Sequence, residues 1–228
     1  MTRPESAWRR RPDAVLFDMD GLMLDTEPLA ARAWSDCAAA HGVEFDRGLA
    51  LRLVGRNFAD CSLLVRAHYA APYPVDAVLG GWHAAYDAIV ARDGIALKAG
   101  VHEVLDWLDD VRLPRAVATS TRRERAQVKL AQAGLFERIH ALVGGDEVRH
   151  GKPAPDLPLE AARRLRVPPG ECVVLEDSEP GVRAALAAGM RVFMVPDLVE
   201  PPAELIAAGA LVARSLHEVR ERLAALPA

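Results

Sequence analysis

Short hydrophobic runs rich in Val, Leu and Ala recur along the chain, and each ends in polar or glycine residues. An apolar run of a few residues bounded in this way is typical of a buried β-strand. The pattern predicts five strands, at residues 14–20, 115–119, 141–144, 172–177 and 191–195, and a weaker sixth at residues 210–213.

Stretches with helical periodicity lie between these strands, at residues 101–110, 122–133, 157–166 and 180–188. Gly134 and Gly189 follow two of them, at the position where a helix often ends in a left-handed glycine. Alternating strands and helices predict an α/β fold, with a Rossmann-like parallel sheet as the core and helices on both of its faces.

Residues 28–96 break this alternation. Their hydrophobic positions follow a helical period at residues 28–41, 50–53, 58–69 and 75–92, without a convincing strand. We interpret this segment as a small all-helical cap domain inserted after the first strand. The α/β catalytic core would then be discontinuous, formed by residues 1–27 and 97–228, and the two chain crossings between core and cap would act as a hinge.

The 228 residues are 51% hydrophobic and 26% charged, which is typical of a globular protein with a substantial core. The formal net charge of −4 provides no basic surface for nucleic acid or an anionic membrane. No apolar run approaches the roughly 18 residues of a membrane span, and the polar first residues do not resemble a secretory signal. The three cysteines are far apart and form neither a metal-binding nor a disulfide pattern. We therefore expect a cytoplasmic enzyme, monomeric or homodimeric, without nucleic-acid or membrane partners.

Reactive side chains follow three of the predicted strands, and ligands of open parallel sheets bind beyond the carboxyl ends of the strands. We therefore expect these side chains to meet at one edge of the sheet, together with a lysine from the loop that precedes the fourth strand. The candidates are Asp18 and Asp20, Thr119 and Ser120, Glu176 and Asp177, and Lys152.

The acidic pair Asp18 and Asp20 could belong to a solvated turn, to a calcium loop or to a catalytic site. An EF-hand loop starting at Asp18 needs Gly at its sixth position and Glu at its twelfth, where this chain has Met23 and Leu29. The calcium loop is therefore excluded. The hydrophobic residues that lead directly into the pair favour a catalytic site over a surface turn.

The other candidates each have a structural alternative. Asp177 or a neighbouring serine could cap the following helix, as could the hydroxyls at Thr119 and Ser120, and Lys152 could be an ordinary solvated lysine. Two adjacent carboxylates at the end of a buried strand are, however, costly unless a cation neutralises them. Ligands that are all oxygen atoms favour Mg²⁺ over softer metals.

An electrostatic requirement connects these groups. A phosphate dianion and an aspartate nucleophile repel each other by about 4 kcal/mol per pair of unit charges at about 4 Å, at the effective dielectric of a protein surface. A carboxylate can therefore attack phosphorus only where cations offset these charges. One Mg²⁺ and the Lys152 ammonium would offset much of this charge.

Four motifs together closely resemble the haloacid dehalogenase superfamily. They are DMDGLMLDTE at residues 18–27, ATST at residues 118–121, GKPAPD at residues 151–156 and LEDSEPGV at residues 175–182. They stand in the order typical of the family and span the core. The helical segment after the first motif resembles the cap of the subfamily that includes phosphoglycolate phosphatases and β-phosphoglucomutases.

The resemblance implies a role for each residue. Asp18 would attack phosphorus, and Asp20 would protonate the leaving oxygen and then deprotonate the hydrolytic water. Thr119 would bind the transferring phosphoryl group with Ser120 and Lys152, and Lys152 would also orient Asp18. The implied Mg²⁺ ligands are the carboxylates of Asp18 and Asp177 and the main-chain carbonyl of Asp20, with Glu176 as a further ligand or a neighbour of the ligands.

Asp20 also separates branches of the superfamily, since the carbon–halogen branch lacks an acid at this position. Sugar phosphomutases of the subfamily carry a histidine and a cap arginine where this chain has Ala30 and Phe58. These departures favour a phosphatase that hydrolyses a small-molecule phosphate monoester through an aspartyl-phosphate, with a β-phosphoglucomutase-like sugar phosphomutase as the alternative. In the cap, Arg56 is either a surface residue or a residue that binds an anionic part of the substrate.

A receiver-type signalling domain is a rival from another class, because it also combines an aspartyl-phosphate with Mg²⁺, a hydroxyl and a lysine. In receivers the acidic metal-binding pair precedes the phosphorylated aspartate. Here the nucleophile candidate Asp18 comes first and the pair Glu176 and Asp177 comes much later. The order of the motifs and the helical insertion disfavour this reading.

Overall fold

A computed structural model describes residues 8, 10–197 and 200–228 of the chain. Residues 1–7, 9, 198 and 199, which the sequence analysis assigned to the core domain, lie outside the described residues. Six strands lie within the six predicted runs: β1 Ala14–Phe17, β2 Arg115–Ala118, β3 Ala141–Val143, β4 Cys172–Glu176, β5 Arg191–Met194 and β6 Leu211–Val212. They form one parallel sheet in the order β3-β2-β1-β4-β5-β6. The predicted fold class is thereby confirmed.

Among the described residues, ten α-helices connect and flank the strands. They are α1 Glu27–Ala39, α2 Arg47–Leu53, α3 Phe58–His68, α4 Val75–Asp93, α5 Val101–Asp110, α6 Arg123–Gln132, α7 Asp156–Leu165, α8 Glu179–Ala187, α9 Ala203–Ala207 and α10 Leu216–Ala224. The periodicity anticipated α1 to α8 within a few residues at their ends. It did not identify α9 and α10, which flank the short last strand.

The sheet is buried because consecutive residues of each strand alternate between two hydrophobic layers. Val15 and Phe17 of β1 point into one cluster, together with α5, α6 and α10. Ala14 and Leu16 point into the other, together with α7 and α8. Since both faces are covered, every residue of β1, β2 and β4 is buried, and polar side chains are confined to the strand ends.

The strand order reverses at β1, which pairs with β2 on one side and with β4 on the other. The chain leaves β2 and β4 toward opposite flanks, which opens a crevice at the carboxyl end of β1. In the register of the sheet, Phe17 pairs with Val117 and with Leu175. The residues that follow these three positions therefore come together at one edge.

None of the six strands lies in residues 28–96, where α1 to α4 pack mainly on one another. Their aromatic residues form a cluster in which Trp34 contacts Phe45, Phe58 and Trp82. At the base of this segment, Leu24 forms an antiparallel bridge with Leu97. The two chain crossings that join the helical segment to the sheet therefore run side by side. Within the part of the chain that the structure describes, no helix has the length and hydropathy to cross a membrane.

The packing of α5 on the sheet gives a direct stability test. Leu105 is fully buried between the sheet and α10, so Leu105→Ala should lower the free energy of unfolding by about 2–5 kcal/mol, through lost burial and a cavity. Leu63→Ala removes the same atoms from a side chain on α3 that is 66% exposed. It should change the free energy of unfolding by less than about 0.5 kcal/mol. Urea unfolding measures both values, and equal losses would contradict this description of the core.

Candidate active site

The carboxyl ends of β1 and β4 bring three carboxylates together. Asp18 directly follows β1, and its backbone N–H donates to the carbonyl oxygen of Leu175 at 2.9 Å. Beside it, Glu176 is the last residue of β4 and Asp177 follows the strand. One oxygen from each of the three carboxylates lies within 4.8 Å of the others, and all three residues are buried. Such a concentration of buried negative charge requires positive charge nearby.

Lys152 supplies one such charge. The side chain comes from the loop before α7 and is only 5% exposed. Its Nζ donates to Asp18 Oδ1 and to Glu176 Oε1, which places the ammonium between the first and fourth strands. The sequence alone could not distinguish this buried amine from a solvated one. The structure shows that it binds two of the three carboxylates.

Glu176 has partners on both of its oxygens. Besides the contact of Oε1 with Lys152, Oε2 accepts from the backbone N–H groups of Asp177 and Ser178 at 3.0 and 3.1 Å, and from Ser178 Oγ at 2.9 Å. Gly181 in the first turn of α8 is so close that a Cβ there would collide with this carboxylate. Glu176 thus links Lys152 to the turn after β4 through hydrogen bonds.

Asp177 is the opposite case. Both of its carboxylate oxygens are buried, and neither has a hydrogen-bond partner among the described residues. Gly21, with φ at +86°, approaches it so closely that a side chain there would collide with Asp177 Oδ2. An orphaned carboxylate beside a second one, with oxygen donors only, fits a hard divalent cation. Asp18 and Asp177 are the residues whose oxygens could bind it.

The protonation equilibria reflect this arrangement. Burial raises the pKa of Asp18 to about 8, and the charges of Glu176 and Asp20 add to the effect, although Lys152 opposes it. Burial and the neighbouring carboxylates of Glu176 and Asp18 likewise raise the pKa of Asp177 well above its usual range. Burial alone would lower the pKa of Lys152, but the carboxylates of Asp18 and Glu176 raise it, so the amine is cationic.

Asp20 lies in a different environment, because three side chains donate hydrogen bonds to it. Its Oδ1 accepts from Thr26 Oγ1 at 2.9 Å and from Lys129 Nζ at 2.7 Å, and its Oδ2 accepts from Thr121 Oγ1 at 2.7 Å. Burial alone would raise its pKa, but the charge of Lys129 and these hydrogen bonds lower it. The pKa values of Asp18 and Asp20, only two residues apart, are thus shifted in opposite directions.

The hydroxyl candidates take separate positions. Thr119 is buried at the end of β2, and its Oγ1 accepts from the backbone N–H of Thr121 at 3.1 Å. Ser120 Oγ donates to the carbonyl oxygen of Gly55, in the loop between α2 and α3, at 3.2 Å. Arg56 in the same loop is exposed, and its Nε donates to the carbonyl oxygen of Arg52. The structure therefore gathers the carboxylates, Lys152 and Thr119 at one edge, while the described contacts of Arg56 remain local.

The structure also decides between the alternatives for helix capping. The residue that precedes α6 is Arg122, without a side-chain cap, so Thr119 and Ser120 do not cap that helix. Ser178 caps α8 by accepting from the Gly181 N–H, which leaves Asp177 without this role. The structural explanations for Thr119 and Asp177 as helix caps are therefore wrong.

Three residues around Asp20 were not among the predicted site residues: Thr26, Thr121 and Lys129. Thr26 and Thr121 lie inside the motifs at residues 18–27 and 118–121, so the motifs could have drawn attention to them. Lys129 lies within a helix, 109 residues from Asp20. Its one signal in the sequence is the rarity of lysine, since the chain has only Lys98, Lys129 and Lys152.

Comparisons with known proteins agree with this geometry. The family model of haloacid dehalogenase-like hydrolases matches residues 12–189, which include all four motifs. The chain belongs to this family. The family predicted from the motifs is therefore confirmed.

Several relatives with curated names are phosphatases. A phosphorylated carbohydrates phosphatase from Thermotoga maritima is 30% identical over 91% of this chain and 96% of its own length. A bifunctional riboflavin kinase/FMN phosphatase from Arabidopsis thaliana is 31% identical over 83% of this chain, which spans about half of that protein. At the level of enzyme class, the prediction of a phosphatase of the haloacid dehalogenase type is confirmed.

A solved structure extends the comparison. A HAD family hydrolase from Deinococcus radiodurans, crystallised with bound phosphate and sodium, is 32% identical to this chain. It superimposes with a TM-score of 0.76 over 94% of this chain and 96% of its own. The similarity spans the helical segment as well as the sheet.

The orphaned carboxylate of Asp177 gives a test in metal-free buffer with EDTA. Because its pKa is raised on folding, the folded chain keeps a proton that the unfolded chain loses above about pH 4, so stability falls as the pH rises from there toward the folded pKa. Asp177→Asn removes this loss. Its melting temperature should exceed that of the wild type, by more at pH 8 than at pH 5.

The matched control is Asp36→Asn on the exposed face of α1, which leaves the carboxylate cluster intact. Thermal unfolding followed by circular dichroism measures all three proteins. A difference between Asp177→Asn and wild type that stays constant with pH would contradict the assignment of buried, unneutralised charge.

Proposed function

We propose that this protein is a Mg²⁺-dependent phosphatase that hydrolyses a phosphate monoester of a small metabolite through an aspartyl-phosphate on Asp18. The observation that carries the proposal is the buried triad of Asp18, Lys152 and Asp177, in which a carboxylate lies against an ammonium and next to an orphaned second carboxylate. We expect the enzyme to act in the cytoplasm, as a monomer or a homodimer.

In this proposal the carboxylates of Asp18 and Asp177 and the main-chain carbonyl of Asp20 would hold Mg²⁺. When bound, the ion supplies positive charge that offsets the repulsion between the phosphate and the attacking carboxylate. The full set of partners on Glu176 argues for a different task there. Glu176 keeps Lys152 in place, and is thus a neighbour of the ligands rather than a ligand.

The side chains would divide the reaction between them. Lys152 holds one oxygen of Asp18, leaving the other to form a bond to phosphorus as the bond to the leaving oxygen breaks. The Thr119 hydroxyl would donate to a phosphoryl oxygen. Asp20 would give a proton to the leaving oxygen, then take one from the water that attacks the aspartyl-phosphate, so that Asp18 is released and Asp20 is again protonated.

We further propose that residues 28–96 form the cap, over a core of residues 1–27 and 97–228. The hydrogen bond from Ser120 Oγ to the Gly55 carbonyl supports this, because it joins the loop between α2 and α3 to the edge of the sheet where the phosphate would bind. The leaving group would then lie between cap and core. Arg56 stays a candidate for binding an anionic part of the substrate, and Ser120 for binding the phosphate.

The proposal predicts release of inorganic phosphate from at least one small phosphate monoester in a screen that includes phosphoglycolate and hexose phosphates. Activity should disappear in EDTA and return with Mg²⁺, since phosphate and Asp18 would otherwise repel each other. A coupled assay for interconversion of sugar phosphates separates the alternative, a phosphomutase. Interconversion without net phosphate release would favour that alternative, and phosphate release that survives chelation would count against the metal site.

Asp18→Asn should abolish phosphate release, by at least about 10³-fold, because the amide is a poor nucleophile that forms no aspartyl-phosphate. The variant should keep the wild-type circular dichroism spectrum. Asp25→Asn, a partly exposed carboxylate in the same segment, is the matched control and should retain phosphate release. Turnover by the Asp18 variant at the wild-type rate would show that the nucleophile is another residue.

A further inference from the structure

Glu27 is a partly buried carboxylate at the first position of α1, where the chain enters the helical segment. Among the described residues, none donates a hydrogen bond to its side chain or forms an ion pair with it. Burial raises the pKa of Glu27 to about 7, and the carboxylates of Asp20 and Asp197 add to this effect. The ammonium groups of Lys129 and Lys98 oppose it, but each is bound to another carboxylate. An unpaired carboxylate in this setting lowers stability, which is typical of a group kept for binding or catalysis.

The helix dipole is the structural alternative for this residue. An acidic side chain in the first turn of a helix interacts favourably with the dipole, and Glu103 in the first turn of α5 is an example. Glu103 is exposed, however, and keeps its hydration. The dipole therefore does not explain why Glu27 is withdrawn from water without a partner.

A second polar group without a partner comes from α4. Tyr86 is only 3% exposed, and its buried hydroxyl oxygen has no hydrogen-bond partner among the described residues. Burial raises the pKa of Tyr86, Lys129 opposes this effect, and the charges of Asp20 and Glu27 add to it. The Tyr86 hydroxyl and the Glu27 carboxylate thus lie close enough to interact electrostatically, although they belong to different helices.

Both groups lie next to Asp20, on the side of the helical segment. Thr26, which directly precedes Glu27, donates to Asp20 Oδ1 at 2.9 Å. Lys129 donates to the same oxygen at 2.7 Å, and its Nζ lies 4.9 Å from the centre of the Tyr86 ring. In the proposed function Asp20 is placed beside the leaving oxygen, so Glu27 and Tyr86 are placed beside the rest of the leaving alcohol.

We propose that Glu27 and Tyr86 form a subsite for a hydroxyl group of the leaving alcohol, so that the substrate is the phosphate monoester of a neutral polyol. This inference rests on the proposed function and names its substrate class. A hydroxyl group both donates and accepts hydrogen bonds. It donates to the carboxylate of Glu27 and accepts from the hydroxyl of Tyr86, which satisfies both groups at once.

Other leaving groups fit this subsite less well. An ammonium group donates to Glu27 but cannot accept from Tyr86. A carboxylate accepts from Tyr86 but is repelled by Glu27, in surroundings that already disfavour negative charge. A plain alkyl chain leaves both protein groups unpaired. The subsite therefore disfavours the anionic leaving group for which Arg56 is a candidate.

The test compares kcat/KM for polyol phosphates with kcat/KM for alkyl phosphates of the same chain length. Glycerol 3-phosphate is paired with propyl phosphate and sorbitol 6-phosphate with hexyl phosphate, while phosphoethanolamine and phosphoglycolate carry charged leaving groups. The chemistry at phosphorus is shared within a pair, so the ratio reports recognition of the hydroxyl groups. The wild type should favour at least one polyol ester over its alkyl partner by about 10-fold or more, because a site that hydrogen-bonds a hydroxyl rejects the analogue without it.

Glu27→Met should lower kcat/KM about 10- to 100-fold on the polyol ester and less than about 3-fold on the alkyl ester, as expected for a lost hydrogen bond to a charged group. Glu27→Gln should lose less, since it keeps a neutral acceptor. Tyr86→Phe, which keeps the ring, should lower the polyol value alone by about 3- to 10-fold. The matched control Glu103→Met removes a first-turn acid and should leave the ratio unchanged. The melting temperature of Glu27→Met should be no lower than that of the wild type, because no described partner is lost.

The outcomes separate this inference from the proposed function. If Glu27→Met and Tyr86→Phe lower both members of a pair equally, or neither, the subsite is wrong and the proposed function stands. A wild type that prefers phosphoethanolamine or phosphoglycolate to both polyol esters also overturns the subsite, because its leaving group is then charged. If the wild type releases phosphate from none of the esters, the proposed function fails and this inference fails with it. Should Glu27→Met not fold by circular dichroism, Tyr86→Phe decides by the same ratio.

Discussion

The contact of one buried ammonium with two buried carboxylates is the interaction on which this site depends. Lys152 lies between Asp18 and Glu176, and its charge makes it possible for carboxylates from two strands to share one edge of the sheet. An unpaired charge in this environment would be strongly unfavourable, and removing one partner would leave the others uncompensated. The third carboxylate, that of Asp177, is not balanced by the protein itself. That imbalance is what makes the site suited to a cation.

The fold contributes by bringing backbone very close to these charges. Gly21 and Gly181 pack against Asp177 and Glu176 where no larger residue fits. The reversal of strand order at β1 opens the crevice, and the pairing of β1 with β4 sets the spacing between Asp18 and the acidic pair. Gathering buried carboxylates in one site lowers the stability of the fold locally. The two hydrophobic layers of the sheet must offset this loss.

Two aspartates separated by a single methionine have opposite electrostatic surroundings. Asp18 is buried among like charges, which raise its pKa, whereas Asp20 is bound by Lys129 and two hydroxyls, which lower its pKa. Pairs of acids whose environments drive their pKa values apart are common at catalytic sites. The raised pKa of Asp18 belongs to the site without a cation, and a bound cation would lower it by favouring the ionised carboxylate. The separation arises here from which lysine reaches which carboxylate, and each lysine comes from a distant segment of the chain.

The sequence by itself determined the sheet, because alternation of apolar runs and helical periods leaves few ways to bury both faces of each strand. It also placed Asp18, Thr119, Glu176 and Asp177 at strand ends, since a buried strand can carry polar groups only where it stops. The sequence pattern did not identify helices α9 and α10, because they are short and the strand between them has only two residues.

Which partner each of these side chains has was decided by the tertiary structure alone. The motifs hold Thr26 and Thr121 but do not say that both donate to Asp20, and a lysine in mid-helix gives no sign that it reaches a carboxylate 109 residues away. Local periodicity reports which face of an element is buried. The distance between charges on different elements depends on how those elements pack, and at this site that distance decides in which direction each pKa is shifted.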